Sequence, residues 1–253
     1  MIMEQIQQVM RECGQLMLGA DRSHANIETK GTSNNLVTKY DKAVQEILQK
    51  KLLEIVPEAH FVGEEETVHD PIATGKAFIV DPIDGTTNFV KDYKSSVISV
   101  AMTQDGELEL GLVYHPYLDE MFTAQRGKGA FRNGKPIHVS SQPLEAGLTL
   151  YGSASYYPEL IDDSFRLLRK AFDRSMDIRR SGSAAWDLCC IAAGRAELFF
   201  ELRLYPWDYA AGALIVREAG GMVTRVEGGD ISLSGPCSIL AVGSNVDAGF
   251  LRE

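Results

Sequence analysis

An apolar run that passes directly into a carboxylate-bearing turn most constrains what this chain can fold into. Residues 77–80 read Ala-Phe-Ile-Val, a pattern typical of a buried strand. Residues 81–89 follow at once and read Asp-Pro-Ile-Asp-Gly-Thr-Thr-Asn-Phe. The strand should therefore end on Asp81, and the proline and glycine should turn the chain past Asp84. The predicted core thus delivers two carboxylates to one edge of a sheet.

The residues after this turn favour an anion. Thr86 and Thr87 open a new segment, where free backbone N–H groups and two hydroxyls can face a phosphate. Two carboxylates beside anion-binding donors make chemical sense if a hard cation bridges them to that anion. Because an isolated Asp-Gly-Thr sequence is most often only a turn, the rest of the chain has to supply further ligands.

Composition limits the classes of protein to which the chain can belong. Its 253 residues, 45% of them hydrophobic, can bury a substantial core as one large domain or as two fused lobes. With a net charge of −10, a pI near 5.1 and no basic run, the chain lacks the electrostatic footprint of a nucleic-acid-binding protein. The four cysteines form no Cys-x-x-Cys pair and no secretory signal is evident, so we expect reduced thiols in a cytoplasmic protein. No apolar stretch approaches the roughly 18 residues that a membrane crossing needs.

The first part of the chain, residues 1–142, predicts an α+β lobe. Its periodicity predicts a helix over residues 2–17, a second helix from Thr38 or Asp41 to Ile55, a strand over residues 60–62 and antiparallel strands between residues 95 and 139. We expect this antiparallel sheet to pack on the two helices. An acidic triplet at residues 64–66 follows the short strand, so it also lies at a strand end.

The second part, residues 143–253, predicts an α/β lobe, because strands and helices alternate. The strands are predicted over residues 148–151, 177–179, 198–201 and 238–242, and the helices over residues 160–172, 182–193 and 207–219. The boundary is placed where the strand-rich pattern ends, near residues 140–143.

Six carboxylates lie at strand ends or helix starts, and convergence of several of them would require a compensating charge. No lysine or arginine is adjacent to Asp81, Asp84 or Asp208. Oxygen-only ligands favour Mg²⁺ over zinc or copper. Shared carboxylates could hold two ions roughly 3.5–4 Å apart, as in two-metal phosphoryl hydrolysis. Each carboxylate also has an ordinary interpretation, since an acidic triplet is usually solvated surface and an aspartate at a helix start is usually a cap. The six are Asp41, Glu64, Glu65, Asp81, Asp84 and Asp208.

Three motifs resemble those of the inositol monophosphatase family: residues 63–65 (Gly-Glu-Glu), residues 81–89 and residues 207–212 (Trp-Asp-Tyr-Ala-Ala-Gly). Residues 36–41 resemble the family's N-terminal motif, and residues 182–185 resemble the start of its substrate-side helix. The resemblance runs in order over nearly the whole chain. It implies a layered αβαβα sandwich of the sugar-phosphatase type, a homodimer, lithium sensitivity, and Mg²⁺-dependent hydrolysis of inositol monophosphate.

The resemblance also implies a centre with two or three Mg²⁺ ions. Glu64, Asp81 and the carbonyl of Ile83 would hold the first ion. Asp81, Asp84 and Asp208 would hold the second, and Glu64 would help a third, weaker one.

Catalytic and phosphate-binding roles follow from the same resemblance. Thr86, paired with Asp41, would orient a water on the first metal, so both count as catalytic together with Glu64. Gly85, Thr86 and Thr87 would bind the phosphate through their N–H groups.

Substrate choice, by the same resemblance, would come from the second lobe. Gly182, Ser183 and Ala184 match positions that contact a sugar-like ring, and Asp208 would lie beside the leaving group. Glu201 matches an acid that accepts hydrogen bonds from ring hydroxyls and would repel a second phosphate. Its ordinary interpretation is an edge-strand charge.

Several alternatives stay open. Lys30 sits where the family has a lysine at the mouth of the site, but a solvated loop cation is the other interpretation. Residues 87–89 resemble the inositol branch, whereas fructose 1,6-bisphosphate and NADP are alternative substrates. Glu66 departs from the family pattern by extending the acidic pair. A regulatory or scaffolding protein that retains the fold is the alternative from another class.

Overall fold

The computed structural model describes residues 1–22, 27–29, 36–66, 72–152 and 157–252, with residues 27–29 and 36–37 described as backbone only. The helices within these ranges are α1 (Ile2–Leu18), α2 (Lys39–Ile55), α3 (Thr86–Val90), α4 (Ile161–Phe172), α5 (Ala184–Ala192) and α6 (Pro206–Glu218). The strands are β1 (Ile27–Thr29), β2 (Leu36–Thr38), β3 (His60–Gly63), β4 (Lys76–Asp84), β5 (Val97–Gln104), β6 (Glu107–His115), β7 (Glu120–Gln125), β8 (Ala130–Arg132), β9 (Lys135–Ile137), β10 (Leu148–Tyr151), β11 (Asp177–Arg179), β12 (Leu198–Leu204), β13 (Met222–Thr224) and β14 (Cys237–Val242).

Two sheets carry most of the described strands. The first has seven strands in the order β3-β4-β5-β6-β7-β8-β9, and it is antiparallel except for the parallel pair β3–β4. The second has five strands in the order β11-β10-β12-β14-β13, with β10 parallel to both neighbours. The first sheet ends at Ile137 and the second begins at Leu148. The division into lobes at residues 142 and 143 stays a prediction.

Alternating side chains distribute the sheets between separate layers of helices. In β4, Phe78 and Val80 pack with the buried residues of α1 and α2, whereas Ile79 packs on the opposite face with those of α5 and α6. In β12, Phe199 faces α5 and α6, and Phe200 packs with the inner face of α4. The order of layers is therefore helix, sheet, helix, sheet, helix, which confirms the predicted αβαβα sandwich.

Strand β4 departs from its predicted end. It continues through Asp84 instead of ending on Asp81, so that prediction was wrong by three residues. Its pairing with β5 passes from Asp81 opposite Ser99 to Asp84 opposite Val97 with a shift of register between them. Pro82 cannot donate to the ladder, and an irregular stretch of this kind bends the strand without ending it. The two carboxylates consequently lie on either side of a bulge.

The start of α2 follows from local hydrogen bonding. The hydroxyl of Thr38 accepts from the N–H groups of Tyr40 at 3.1 Å and Asp41 at 3.4 Å. The carboxylate of Asp41 accepts in return from the Thr38 N–H at 2.7 Å, which completes a capping box. Thr38 is therefore the cap of the two predicted candidates, and Asp41 is fixed one turn inside the helix.

Helix α6 lies directly against the seven-stranded sheet. A Cβ atom on Gly111 of β6 would come 2.6 Å from the carbonyl oxygen of Ala211 in α6, so the helix and the strand meet backbone to backbone. No helix in the part of the chain that the structure describes combines the length and the apolar composition that a membrane crossing requires.

Candidate active site

The bulged end of β4 forms the centre of the site. Asp81 is only 2% exposed, and its Oδ1 accepts a hydrogen bond from the N–H of Ile83 at 2.9 Å. Gly85 has a φ of 89°, in the left-handed region that favours glycine, and α3 begins at the next residue. A Cβ atom there would also come 3.0 Å from the carbonyl oxygen of Ser95. This glycine therefore sets the direction of the chain that follows the carboxylates.

The pKa of the Asp81 carboxyl is strongly raised. Burial raises its pKa well above the usual range, and the charges of Glu64, Asp84 and Asp208 raise it further. A side-chain hydrogen bond with Glu64 acts in the same direction. Four of the predicted ligands are therefore close enough to interact electrostatically around Asp81.

Asp84 joins the first sheet to helix α5. Its Oδ2 accepts hydrogen bonds from the Ser183 hydroxyl at 2.7 Å and from the Ala185 N–H at 2.6 Å. Burial raises the pKa of Asp84 to about 6, and these hydrogen bonds offset part of the increase. Because Asp84 and Ser183 are 99 positions apart in the chain, this contact brings together two motifs that the sequence only suggested were neighbours.

Thr86 and Asp41 also meet, as predicted. The Thr86 hydroxyl lies 3.1 Å from Oδ1 of Asp41 and 3.2 Å from the carbonyl oxygen of Ile83, and it can donate to either. Asp41 is fully buried, and this burial raises its pKa to about 6 against the opposing effect of its hydrogen bonds with Thr38. The pair places a hydroxyl beside the carboxylate turn.

The acidic triplet after β3 divides between different partners. The N–H of Glu64 donates to the carbonyl of Val80 at 3.1 Å, which holds Glu64 beside β4. The carboxylate of Glu66 instead accepts from the Gln49 side chain at 2.8 Å, on helix α2. The side chain of Glu66, the residue that departs from the family pattern, is thus hydrogen-bonded to a neighbouring helix.

Asp208 occupies the first turn of α6. Its Oδ2 accepts from the N–H of Tyr205 at 2.7 Å, so the ordinary interpretation as a helix-capping carboxylate applies. Asp208 is also, after burial, the largest cause of the raised pKa of Glu201, with further contributions from Asp84 and Asp187. It therefore combines a capping bond with electrostatic contact to other predicted site residues.

The substrate-side segment begins α5. Ser183 caps the helix, since its hydroxyl accepts from the Trp186 N–H at 3.3 Å, and Ala184 is the first helical residue. Gly182 has a φ of 81°. Thr87 is exposed on α3, and Lys30 lies outside the described residues.

Three residues in and around the site have surroundings that the sequence did not predict. The amide of Asn88 donates to the carbonyl oxygens of Ser95 and Ser181, at 2.6 and 2.8 Å. Asp187 of α5 is buried, and this burial raises its pKa to about 8. Gly152 leaves space for Glu201, because a Cβ atom there would come 1.8 Å from a carboxylate oxygen of that residue. The available signals were the position of the asparagine inside the 81–89 motif and that of the aspartate inside an otherwise apolar helix.

The donor chemistry of the site suits magnesium. Carboxylates and the Ile83 carbonyl are hard oxygen donors, and the repulsion that raises the pKa of Asp81 is of the kind that a divalent cation removes. Among the described residues, however, no three Asp, Glu, His or Cys side chains are positioned together as a metal-binding group in this structure. Asp84 and Asp208 instead accept hydrogen bonds from protein donors. The ligand set fits the ion chemically, and its assignment stays a prediction.

Comparison with known proteins identifies the family. The inositol monophosphatase family matches residues 2–250. Inositol monophosphatase 2 of Solanum lycopersicum is 36% identical over 231 residues, 88% of this chain and 87% of the relative. Nus factor SuhB of Vibrio cholerae is 41% identical over 204 residues, 79% of this chain and 76% of the relative. The crystal structure of extragenic suppressor protein suhB from Bartonella henselae has a TM-score of 0.90 and 33% identity, covering 99% of this chain and 96% of that one. The chain belongs to the inositol monophosphatase family.

Proposed function

We propose that this chain is a Mg²⁺-dependent phosphomonoesterase that hydrolyses inositol monophosphate to inositol and inorganic phosphate. The hydrogen bonds from Ser183 and Ala185 to Asp84 support it most, because they join the carboxylate turn to the substrate-side start of α5. Family membership supports a phosphatase, and the name of the tomato relative supports inositol monophosphate as the substrate.

Two or three Mg²⁺ ions would be held by oxygen donors of the first sheet and of α6. These donors are Glu64, Asp81, the Ile83 carbonyl, Asp84 and Asp208. When bound, the ions would make a coordinated water more acidic and offset negative charge on the phosphate.

Thr86 would orient the water that attacks phosphorus. Its hydroxyl hydrogen is directed to Asp41 at 3.1 Å or to the Ile83 carbonyl at 3.2 Å, so its oxygen lone pairs can accept a hydrogen bond from that water. The buried Asp41 carboxylate, fixed in the capping box of α2, would hold the hydroxyl in this orientation. Glu64 would complete the catalytic group from the end of β3.

The phosphate and the ring of the substrate would contact different segments. The N–H groups of Gly85, Thr86 and Thr87 would bind phosphate oxygens at the start of α3. Glu201 would accept hydrogen bonds from ring hydroxyls, beside Asp208 near the leaving oxygen. A carboxylate at this position would also disfavour substrates that carry a second phosphate there.

Three further residues at the start of α5 would line the ring: Gly182, Ser183 and Ala184. Lys30, outside the described residues, would attract the phosphate at the mouth of the site. Inositol monophosphate is accordingly preferred over fructose 1,6-bisphosphate and NADP.

Phosphate release tests this function directly. With millimolar Mg²⁺ the protein should release inorganic phosphate from inositol 1-phosphate, and excess EDTA should abolish the release. The value of kcat/KM should be higher for inositol 1-phosphate than for fructose 1,6-bisphosphate or NADP. Failure to hydrolyse any of the three monoesters would remove the enzymatic proposal, and a reversed order would remove only the substrate.

Asp84→Asn should lower turnover of inositol 1-phosphate by at least about tenfold, because the amide is a poorer ligand for a hard cation. Asp230→Asn makes the same chemical change at an exposed residue and should retain the wild-type rate. Colourimetric phosphate release at saturating substrate measures both variants. A near-normal rate for Asp84→Asn would exclude Asp84 from the metal centre.

A second candidate function is regulatory binding to another protein. It is favoured by relatives named Nus factor SuhB, of which the Vibrio cholerae protein is 41% identical. Regulatory binding would be the only function if the purified protein hydrolysed no monoester. It would accompany catalysis if Asp84→Asn lost turnover but kept its regulatory effect in cells.

The cellular setting is also a proposal. We propose a cytoplasmic homodimer, in accordance with the family resemblance. All four cysteines are free thiols, which supports a reducing compartment. Sedimentation equilibrium would measure the mass of the assembly, and fractionation would locate it.

A further inference from the structure

The side chain of Asn88 connects two segments that are far apart in the sequence. Its Nδ2 donates to the carbonyl oxygen of Ser95 at 2.6 Å and to that of Ser181 at 2.8 Å. Since both neighbours are carbonyls, which only accept, this end of the amide has to be the nitrogen. Both amide hydrogens are therefore donated, one to the connection that leads into β5 and one to the segment that leads into α5.

The backbones around this amide are packed too closely for larger residues. A Cβ atom on Gly182 would come 3.2 Å from Nδ2 of Asn88, and one on Gly85 would come 3.3 Å from the same atom. The Cβ atom on Gly85 would also come 3.2 Å from the carbonyl oxygen of Gly182. The proposed phosphate-binding turn (residues 85–87) and the proposed ring-binding segment (residues 181–183) thus contact each other across the Asn88 side chain.

The segment that receives the hydrogen bond from Asn88 is itself ordered by short-range bonds. The hydroxyl of Ser181 accepts from the Ser183 N–H and donates to the Ser183 carbonyl, both at 3.0 Å. Hydrogen bonding with the side chain and backbone of Ser181 also lowers the pKa of Asp187 on α5, with the single Ser181 hydroxyl hydrogen serving one acceptor at a time. Because residues 181–183 are held as a unit, a hydrogen bond at Ser181 fixes the position of Ser183 as well.

We propose that Asn88 is a positioning residue: its side-chain amide sets the distance between the phosphate-binding turn and the ring-binding segment 181–183. This proposal rests on the proposed phosphatase function. Asn88 itself need not touch the substrate. Its hydrogen bonds keep the start of α5 in register with the turn after β4, so that a phosphate and its attached ring meet both segments at once.

Asn88→Asp tests this role, because it retains the size of the side chain but turns a carboxylate oxygen toward two carbonyl oxygens. For inositol 1-phosphate, whose ring needs the 181–183 segment, kcat/KM should fall by about tenfold or more, mainly through KM. For p-nitrophenyl phosphate, which lacks ring hydroxyls, it should stay within about twofold of wild type. Asn88→Ala removes the donor without adding a charge and should show the same substrate dependence to a smaller extent.

Binding provides a readout separate from turnover. Calorimetric titration with Mg²⁺ and inorganic phosphate should give affinities within about twofold of wild type for Asn88→Asp, because the Asn88 side chain is not among the groups proposed to hold either ligand. Asn133→Asp is the matched control: Asn133 donates its amide to the Asp119 carbonyl at 2.8 Å in a hairpin on the opposite edge of the sheet, and this variant should behave as wild type for both substrates.

Two results would overturn the proposal. One is an equal loss for both substrates together with weakened Mg²⁺ binding, which indicates general damage to the site. The other is unchanged kinetics for a folded Asn88→Asp or, if that variant does not fold, for Asn88→Ala. A wild-type protein that hydrolyses neither monoester would instead refute the phosphatase function.

Discussion

At the scale of single residues, the absence of a side chain at Gly152 leaves the space that the carboxylate of Glu201 occupies. A Cβ atom on Gly152 would lie 1.8 Å from one carboxylate oxygen and 2.6 Å from Cγ of Glu201. The atoms in conflict belong to a flexible side chain, so the glutamate would move and the strands would not. A small residue beside β12 therefore determines where a proposed substrate-binding carboxylate lies.

Gly152→Ala should raise KM for inositol 1-phosphate by several-fold to about tenfold while the melting temperature changes little, because the displaced group is a side chain and not backbone. Gly235→Ala is the control, since a Cβ atom there meets nothing within 4 Å. Steady-state kinetics and thermal unfolding measure the two effects. An unchanged KM for Gly152→Ala would show that the position of Glu201 does not affect substrate binding.

Residue-scale contacts of this kind could not be predicted from the sequence. Asn88 and Ser181 are 93 positions apart, and nothing in either local pattern identifies the other as its partner. The pairing of Thr86 with Asp41, 45 positions apart, was expected only because the family resemblance implied it. Local chemistry was easier to predict, as at the Thr38 cap, where donor and acceptor lie within three residues.

At the scale of elements, long periodic segments were predicted well, and short ones were predicted unevenly. Helix α1 was expected over residues 2–17 and occupies Ile2–Leu18, because its apolar spacing is maintained over several turns. Of two three-residue strands, β11 was predicted over its full length and β13 was missed, since so short a segment has little period to detect. The predicted range of β4 ended too early because a proline and a glycine are usual turn signals. In the structure, pairing with β5 resumes beyond the bulge.

Helix α5 carries an acid whose ionisation opposes folding. Burial raises the pKa of Asp187 to about 8, and the negative charge of Asp84 adds to the shift. The nearby Arg180 has the opposite effect. Glu201 and Cys190 are the other titratable groups that interact with it. The usual pKa of an aspartate in an unfolded chain is about 3.9.

Between about pH 4 and pH 8 the native state should hold a proton at Asp187 that the unfolded state has lost, so the free energy of unfolding should fall as pH rises. Asp187→Asn cannot ionise and should make this fall shallower. Urea unfolding at several pH values from 5 to 8, in EDTA, measures the slope. Asp230→Asn should leave it unchanged, and an equal slope for Asp187→Asn would contradict the expectation.

At the scale of the whole molecule, the proposed metal ligands come from elements that only folding brings together. Glu64 follows β3, Asp81 and Asp84 belong to β4, and Asp208 lies in α6. Their mutual repulsion, within a chain of net charge −10, opposes the folded state when no cation compensates it. An ion bound by these residues would bind the native chain and not the unfolded one.

Mg²⁺ should therefore raise the melting temperature, with a stabilisation of about 2.7 kcal/mol at a concentration 100 times its Kd. Sodium chloride at matched ionic strength should give a smaller change, because it only screens the charges. Asp84→Asn should show a reduced response to Mg²⁺ in the same calorimetric scan. Identical curves for wild type with Mg²⁺ and with sodium would contradict a metal centre built from these carboxylates.

The middle layer has a consequence for how such a protein can be divided. Helices α5 and α6 are encoded after residue 142, yet they cover one face of the sheet encoded before it, where Ile79 and Phe122 share a cluster with Ala210. A fragment that stopped at residue 142 would present that face of β4 to β7 to water, and the remaining fragment would lose the surface on which its helices rest. The two halves of this chain are therefore not interchangeable modules, and a gene fusion or truncation would have to carry them together.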